Sequence, residues 1–140
     1  MPEMFKTVLF PIDQSLEARE AAEVVVNIVQ KYGSRLVLLS VVEAADSEEE
    51  SSDVEPMASP DKVAQLLENA QSLFKAQAIQ TEAIEREGKP AFVICDVADE
   101  IGADLIIMGC RGIGLTDEGI TESVTYRVIN LSPCPVLIVP

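Results

Sequence analysis

A single α/β domain, a parallel sheet with helices on both faces, is the fold class this sequence predicts, and three observations predict it. Short apolar runs alternate with stretches whose apolar residues recur at three-and-four spacing. The runs are apolar at consecutive positions, as in strands buried on both faces, where solvent-facing antiparallel strands would alternate. Glycine or proline punctuates the junctions. Strict strand-helix alternation demands right-handed crossovers and helices on both sides, which makes a three-layer αβα sandwich around five strands.

The elements follow in order. Thr7 to Ile12 is an apolar run that ends in Asp13-Gln14-Ser15, a buried strand followed by a helix cap. Leu16, Ala18, Ala21, Ala22, Val25, Ile28, Val29 and Tyr32 trace one face of a helix from Ser15, with Gly33 where a C-cap belongs. Arg35 to Val42 reads as a second buried strand. Asp46 to Pro60 is rich in acids and serines and closes on Pro56 and Pro60, which predicts a mobile acidic loop. Its alternative use, as a partner-docking or phosphoserine segment through Ser47, Ser51 and Ser52, assigns no site. Val63, Leu66, Leu67, Ala70, Leu73, Phe74 and Ala78 mark a second helix, and Thr81 to Glu87 alternates as a more exposed edge strand. Pro90 opens a third helix that Gly102 ends. Asp104 to Gly109 is a buried strand leading into a glycine-containing loop, a fourth helix runs from near Glu118 to Leu131, and Val136 to Val139 is the last strand.

Composition narrows the function classes. A chain of 140 residues with 48% hydrophobic and 24% charged residues can fold alone as one domain spanning 1–140. Met1 to Lys6 fits neither a secretory signal nor a transit peptide, and no apolar run nears the roughly 20 residues of a spanning helix. The expectation is a soluble cytoplasmic protein with no membrane partner. Three cysteines, Cys95, Cys110 and Cys134, have neither paired nor metal-like spacing and read as reduced thiols. There is no histidine, which removes Ser-His and Cys-His dyads and most zinc sites. No catalytic residue and no metal ligand is assigned. A formal charge of −14, from 24 acids against 10 bases, repels a phosphate backbone and excludes nucleic acid as a partner. A single nucleotide is still compatible, because backbone amides at a helix N-terminus hold phosphate without net positive charge.

Ligands of open parallel sheets bind beyond the carboxyl ends of the strands, near the switch in strand order. That rule selects Asp13, Val41 and the loop after Met108. Gly109-Cys110-Arg111-Gly112 follows a buried strand, and Ser123-Val124-Thr125 lies some ten residues on at a helix start. Glycines let amides approach a ligand, and hydroxyls at a helix N-terminus favour an anion. The same junction is also compatible with turn chemistry alone.

Three segments in register carry a resemblance. Pro11-Ile12-Asp13-Gln14-Ser15, Ala103 to Gly112 and Ser132-Pro133-Cys134-Pro135-Val136-Leu137-Ile138-Val139 together resemble the universal stress protein (UspA-like) family, in order and over essentially the whole chain. The resemblance implies a flavodoxin-like, adenine nucleotide alpha hydrolase-like sheet of order 3-2-1-4-5 and a homodimer that pairs Val136, Leu137, Ile138 and Val139 with their counterparts. A physical argument agrees, since an apolar edge strand is an association surface unless it is covered. The resemblance also places adenine and ribose near Pro11, Ile12, Asp13 and Val41. Phosphates fall near Gly109, Arg111, Gly112, Ser123 and Thr125, Met108 and Val124 are further candidate nucleotide-binding residues, and ATP or AMP with Mg²⁺ are the implied ligands.

One position departs from the family pattern. The nucleotide-binding kind carries Gly-x-x-Gly, nine residues, then Gly before Ser or Thr; here Glu122 stands where the last glycine belongs. A carboxylate about 5 Å from a phosphate, at an effective dielectric near 20, costs roughly 3 kcal/mol. Binding then requires Glu122 to point away or a divalent cation to bridge it. Three readings follow: a stress-response binding or regulatory protein that takes an adenine nucleotide, a dimeric interaction module without one and with an unnamed protein partner, and a slow ATPase with Asp13 or Glu122 organising a metal and water.

Overall fold

The computed structural model describes residues 5–12, 17–43, 60–109 and 124–139. Five strands, β1 (Thr7–Pro11), β2 (Arg35–Glu43), β3 (Thr81–Gly88), β4 (Leu105–Gly109) and β5 (Val136–Val139), alternate with four described helices. These are α1 (Glu17–Tyr32), α2 (Pro60–Lys75), α3 (Pro90–Ile101) and α4 (Val124–Leu131). All neighbouring strands pair in parallel, in the order β3-β2-β1-β4-β5. The chain thus builds outward from β1 to β3 and then crosses to β4 on the other side. Its switch point lies between β1 and β4.

Strand alternation divides the core into two layers. Val8, Phe10, Leu36, Leu38 and Ile107 face α1 and α2, where Ala21, Val25, Val29 and Phe74 meet them. Phe10 and Phe74 pack edge to face with centroids 6.1 Å apart, a favoured aromatic geometry. Leu9, Val37, Leu39 and Ile106 face the opposite layer, where Ile94, Val97 and Ala98 of α3 and Val128 of α4 cover them. This sandwiching explains why β1, β2 and β4 read as unbroken apolar runs.

The helix ends follow the glycines. Gly33 (φ 66°) terminates α1, its amide donating to the Val29 carbonyl at 2.8 Å. Gly102 (φ 67°) caps α3 through the Ala98 and Asp99 carbonyls. Strand ends differ from the sequence expectation by single residues, and the larger difference is in a helix: α2 stops at Lys75, and Ala78 sits in a turn with φ 65°. Ala78 continues the apolar spacing, but its left-handed backbone is incompatible with a helix. Helix α4 is described from Val124, so the expected start near Glu118 lies outside the described residues.

Candidate functional site at the β1/β4 switch point

The site is built from strand ends. In a parallel ladder, successive residues turn their backbone groups to alternate neighbours. The Ile12 amide donates to the Leu39 carbonyl at 2.9 Å, so even positions of β1 serve β2 and odd positions serve β4. The odd residue Thr7 confirms this: its carbonyl accepts from the Asp104 amide at 2.7 Å, and its amide donates to Asp104 Oδ2 at 3.0 Å. This double contact seals the amino end of the seam.

The carboxyl end is different. Pairing of β1 with β2 runs to Pro11 and Leu39, and pairing of β4 with β5 runs to Gly109 and Val139. Between β1 and β4 only Val8 with Leu105 and Leu9 with Ile106 pair among the described residues. The ladder therefore stops short at the switch point, where open α/β sheets place their ligand crevice.

Three of the expected residues share one face there. Val41 and Met108, 8% and 7% exposed, belong to the layer under α3 and α4. Pro11, one residue past the opposite-facing Phe10, points to the same layer. Ile12 does not join them; its side chain packs with the α1/α2 layer, and its amide is spent on Leu39. Gly109 closes β4. Val124 and Thr125 lie on α4, whose fully buried Val128 anchors the helix to the α3 layer. Asp13, Arg111, Gly112 and Ser123, with Glu122, Cys110 and the acidic stretch 46–59, lie outside the described residues.

Both described cysteines have thiols pushed up by their surroundings. Burial pushes the Cys95 thiol up, with smaller contributions from Asp96 and Cys134. Burial also pushes Cys134 up, partly countered by its hydrogen bond with Ser132, while Asp104 adds to the rise. Both shifts favour the protonated thiol over the thiolate. Among the described residues no group of three or more His, Cys, Asp or Glu side chains could hold a metal ion, and no helix is long and apolar enough to cross a membrane.

Sequence reasoning passed over Asp104 and Gly88. An acid directly ahead of an apolar run was the available signal for the first. Gly88 ends β3 at φ 147°, and a Cβ there would stand 2.8 Å from Val93 Cγ2; the Gly-Lys-Pro run before α3 was its trace. Lys89 at the N-cap of α3 makes no side-chain capping bond.

At the sheet's far edge, the Ile106 amide donates to the Pro135 carbonyl at 3.0 Å. By alternation, the backbone groups of Val136 and Ile138 point away from β4. Leu137 and Val139 pack against one core layer and Val136 and Ile138 against the other, yet all four are only partly buried.

The comparisons with known proteins agree on one family. The family model described as the universal stress protein family matches residues 4–140. Universal stress protein Sll1654 of Synechocystis sp. is 60% identical over 137 residues, covering 98% of this chain and 87% of that protein. The solved structure of the universal stress protein UspA from Lactobacillus plantarum superposes with a TM-score of 0.73 at 27% identity, covering 98% of this chain and 99% of that one. A universal stress protein solved in complex with cAMP superposes with a TM-score of 0.77 at 24% identity, covering 98% of each chain, a likeness of fold.

Proposed function

Because the chain belongs to the universal stress protein family, we propose that it is a cytoplasmic stress-response protein that works by binding, a homodimer holding an adenine nucleotide at the β1/β4 crevice. The observation that carries the reading is the early end of the β1/β4 ladder, with Pro11, Val41 and Met108 on one face beside it. An apolar face at the strand ends suits a flat base. The solved relative that binds cAMP has the same fold, which makes adenine nucleotides the first ligands to try. Asp13, Arg111, Gly112, Ser123 and Thr125 complete the proposed site, and Mg²⁺ offsets the negative charge of Glu122 against a polyphosphate.

Calorimetric titration of ATP, ADP and AMP with Mg²⁺ into the wild type and Glu122→Gly tests this. Heat with the wild type is expected, with ATP tightening by up to about two decades when the carboxylate is removed. Binding by the glycine variant alone would identify a site switched off by one carboxylate. No binding by either would overturn the nucleotide reading and leave the dimeric interaction module.

The dimer reading rests on β5, apolar on both faces with outward-pointing backbone groups. Ile138→Pro removes an outward donor while leaving the bonds to β4 in place. Sedimentation should show a dimeric wild type and a monomeric variant; a variant that stays dimeric would move the interface elsewhere.

A further inference from the structure

We propose that Pro11 is a positioning residue of the crevice, acting through the hydrogen bond it cannot make: its missing amide removes the next rung of the β1/β4 ladder and keeps the mouth of the switch point unbridged. The inference rests on the nucleotide reading for its ligand and on the strand register for its cause.

The register fixes the geometry. Pairing of Val8 with Leu105 and of Leu9 with Ile106, together with the odd-position rule for β1, means that the Leu9 amide serves the Leu105 carbonyl and the Leu9 carbonyl serves the Ile107 amide. The next rung would run from the amide of residue 11 to the carbonyl of Ile107. Proline has no amide hydrogen, and a ring carbon occupies its place. The Ile107 carbonyl, in a residue 0% exposed, therefore receives no ladder hydrogen bond from residue 11. Pairing stops at that rung, although β1 still pairs with β2 at Pro11 and β4 still pairs with β5 at Gly109. A strand-disrupting residue would loosen both sides of β1; this one interrupts only the side at the switch point. Proline at an even position would have cut the bond to β2 and left the β1/β4 seam zipped.

The consequence for a ligand follows. A closed rung would draw the ends of β1 and β4 to ladder spacing, about 4.8 Å, beside Met108 and Gly109. With that rung unmade, the strand ends are free to part and admit a flat apolar group beside the Pro11 ring and Met108, which share the α3/α4 face.

Pro11→Ala supplies the missing amide without demanding a new backbone conformation, and two measurements on the full chain read it. Residue-specific amide exchange should show the new amide protected to the level of its strand neighbours, and calorimetric titration with AMP and Mg²⁺ should show affinity about fivefold below the wild type, the value of one net backbone hydrogen bond. A freely exchanging new amide with the same loss of affinity would overturn the proposal in favour of ring contact with the ligand. A protected new amide with unchanged AMP affinity would overturn it as well, because the rung would then have no hold on the crevice. Should the wild type take up no AMP, the nucleotide reading fails by itself, and exchange of the amide introduced by Pro11→Ala still decides whether its absence is what interrupts the ladder.

Discussion

The two ends of the sheet are made by opposite means. At the amino end, groups reach across the gaps: Asp104 grips both backbone groups of Thr7, the Arg35 amide donates to the Lys6 carbonyl at 2.8 Å, Ser34 Oγ donates to the Phe5 carbonyl, and Arg35 pairs with Glu82. Phe5 stacks edge to face on Tyr32 with centroids 5.2 Å apart. At the carboxyl end, shape comes from what is missing: Pro11 has no amide, Gly88 and Gly109 have no side chain, and Lys89 makes no cap. The difference teaches where to look for each property. Stability concentrates where bonds are made, and a crevice for a ligand forms where they are withheld. Adding an atom should therefore hurt most at the carboxyl end, and removing one should hurt most at the amino end.

Gly88→Ala is the strongest way to break that contrast. Its φ of 147° lies in a region that side-chain-bearing residues avoid, and the new Cβ would come within 2.8 Å of Val93 Cγ2. Backbone strain and overpacking together predict a loss of about 3 kcal/mol in urea denaturation. Adding Val93→Ala should return the part due to contact and leave the part due to φ. A stability unchanged by Gly88→Ala would mean that the end of β3 adjusts freely, and that the carboxyl end is not shaped by missing atoms.

Asp104→Ala is the matching removal at the amino end. It leaves the Thr7 amide, in a residue only 7% exposed, without its side-chain acceptor, which predicts a loss of about 2 kcal/mol. Nucleotide affinity below the melting range should not move, because Asp104 lies at the other end of β4 from Gly109. A variant that keeps its stability but loses AMP would show that the ends are coupled through the seam.

The contrast also explains what was legible in the sequence. Consecutive apolar residues such as Val8-Leu9-Phe10 and Leu105-Ile106-Ile107 reveal burial on both faces, and from that the parallel sheet, its covering helices and most boundaries follow. Gly33, Pro90 and Gly102 act through local backbone preference, which a sequence displays directly. The end of α2 was hidden because Ala78 is a good helix former that takes a left-handed turn here; tertiary context overrode propensity. The site was harder. Pro11, Val41 and Met108 could be chosen by the strand-end rule and by resemblance, but Ile12 facing the other layer depends on alternation counted from a known hydrogen bond. The role of Asp104 is a contact with a residue 97 positions away, which no local pattern encodes.

The smallest expected effect tests how much of the amino end is bonding and how much is backbone. Arg35 Nε and Nη2 donate to Glu82 Oε2 and Oε1 at 2.6 and 2.9 Å, a two-point contact across β2 and β3. The hydrogen bond from Arg35 holds the Glu82 carboxyl below its ordinary range, and Glu82 raises the guanidinium in return. A depressed carboxylate contributes stability that is present above its unfolded value and fades as pH falls through the folded one. The raised guanidinium loses its share only at extreme alkaline pH. Both side chains are about half exposed, at 45% and 53%, so solvent screens the pair. A double-mutant cycle with Arg35→Ala and Glu82→Ala should give a coupling near 0.5 kcal/mol at neutral pH. It should shrink in molar salt and vanish below the carboxylate range. A coupling of several kcal/mol would make this surface pair, rather than Asp104 and the backbone bonds, the main closure of the amino end. A coupling that persisted after Glu82 was protonated would show neutral hydrogen bonding and not charge to be its source.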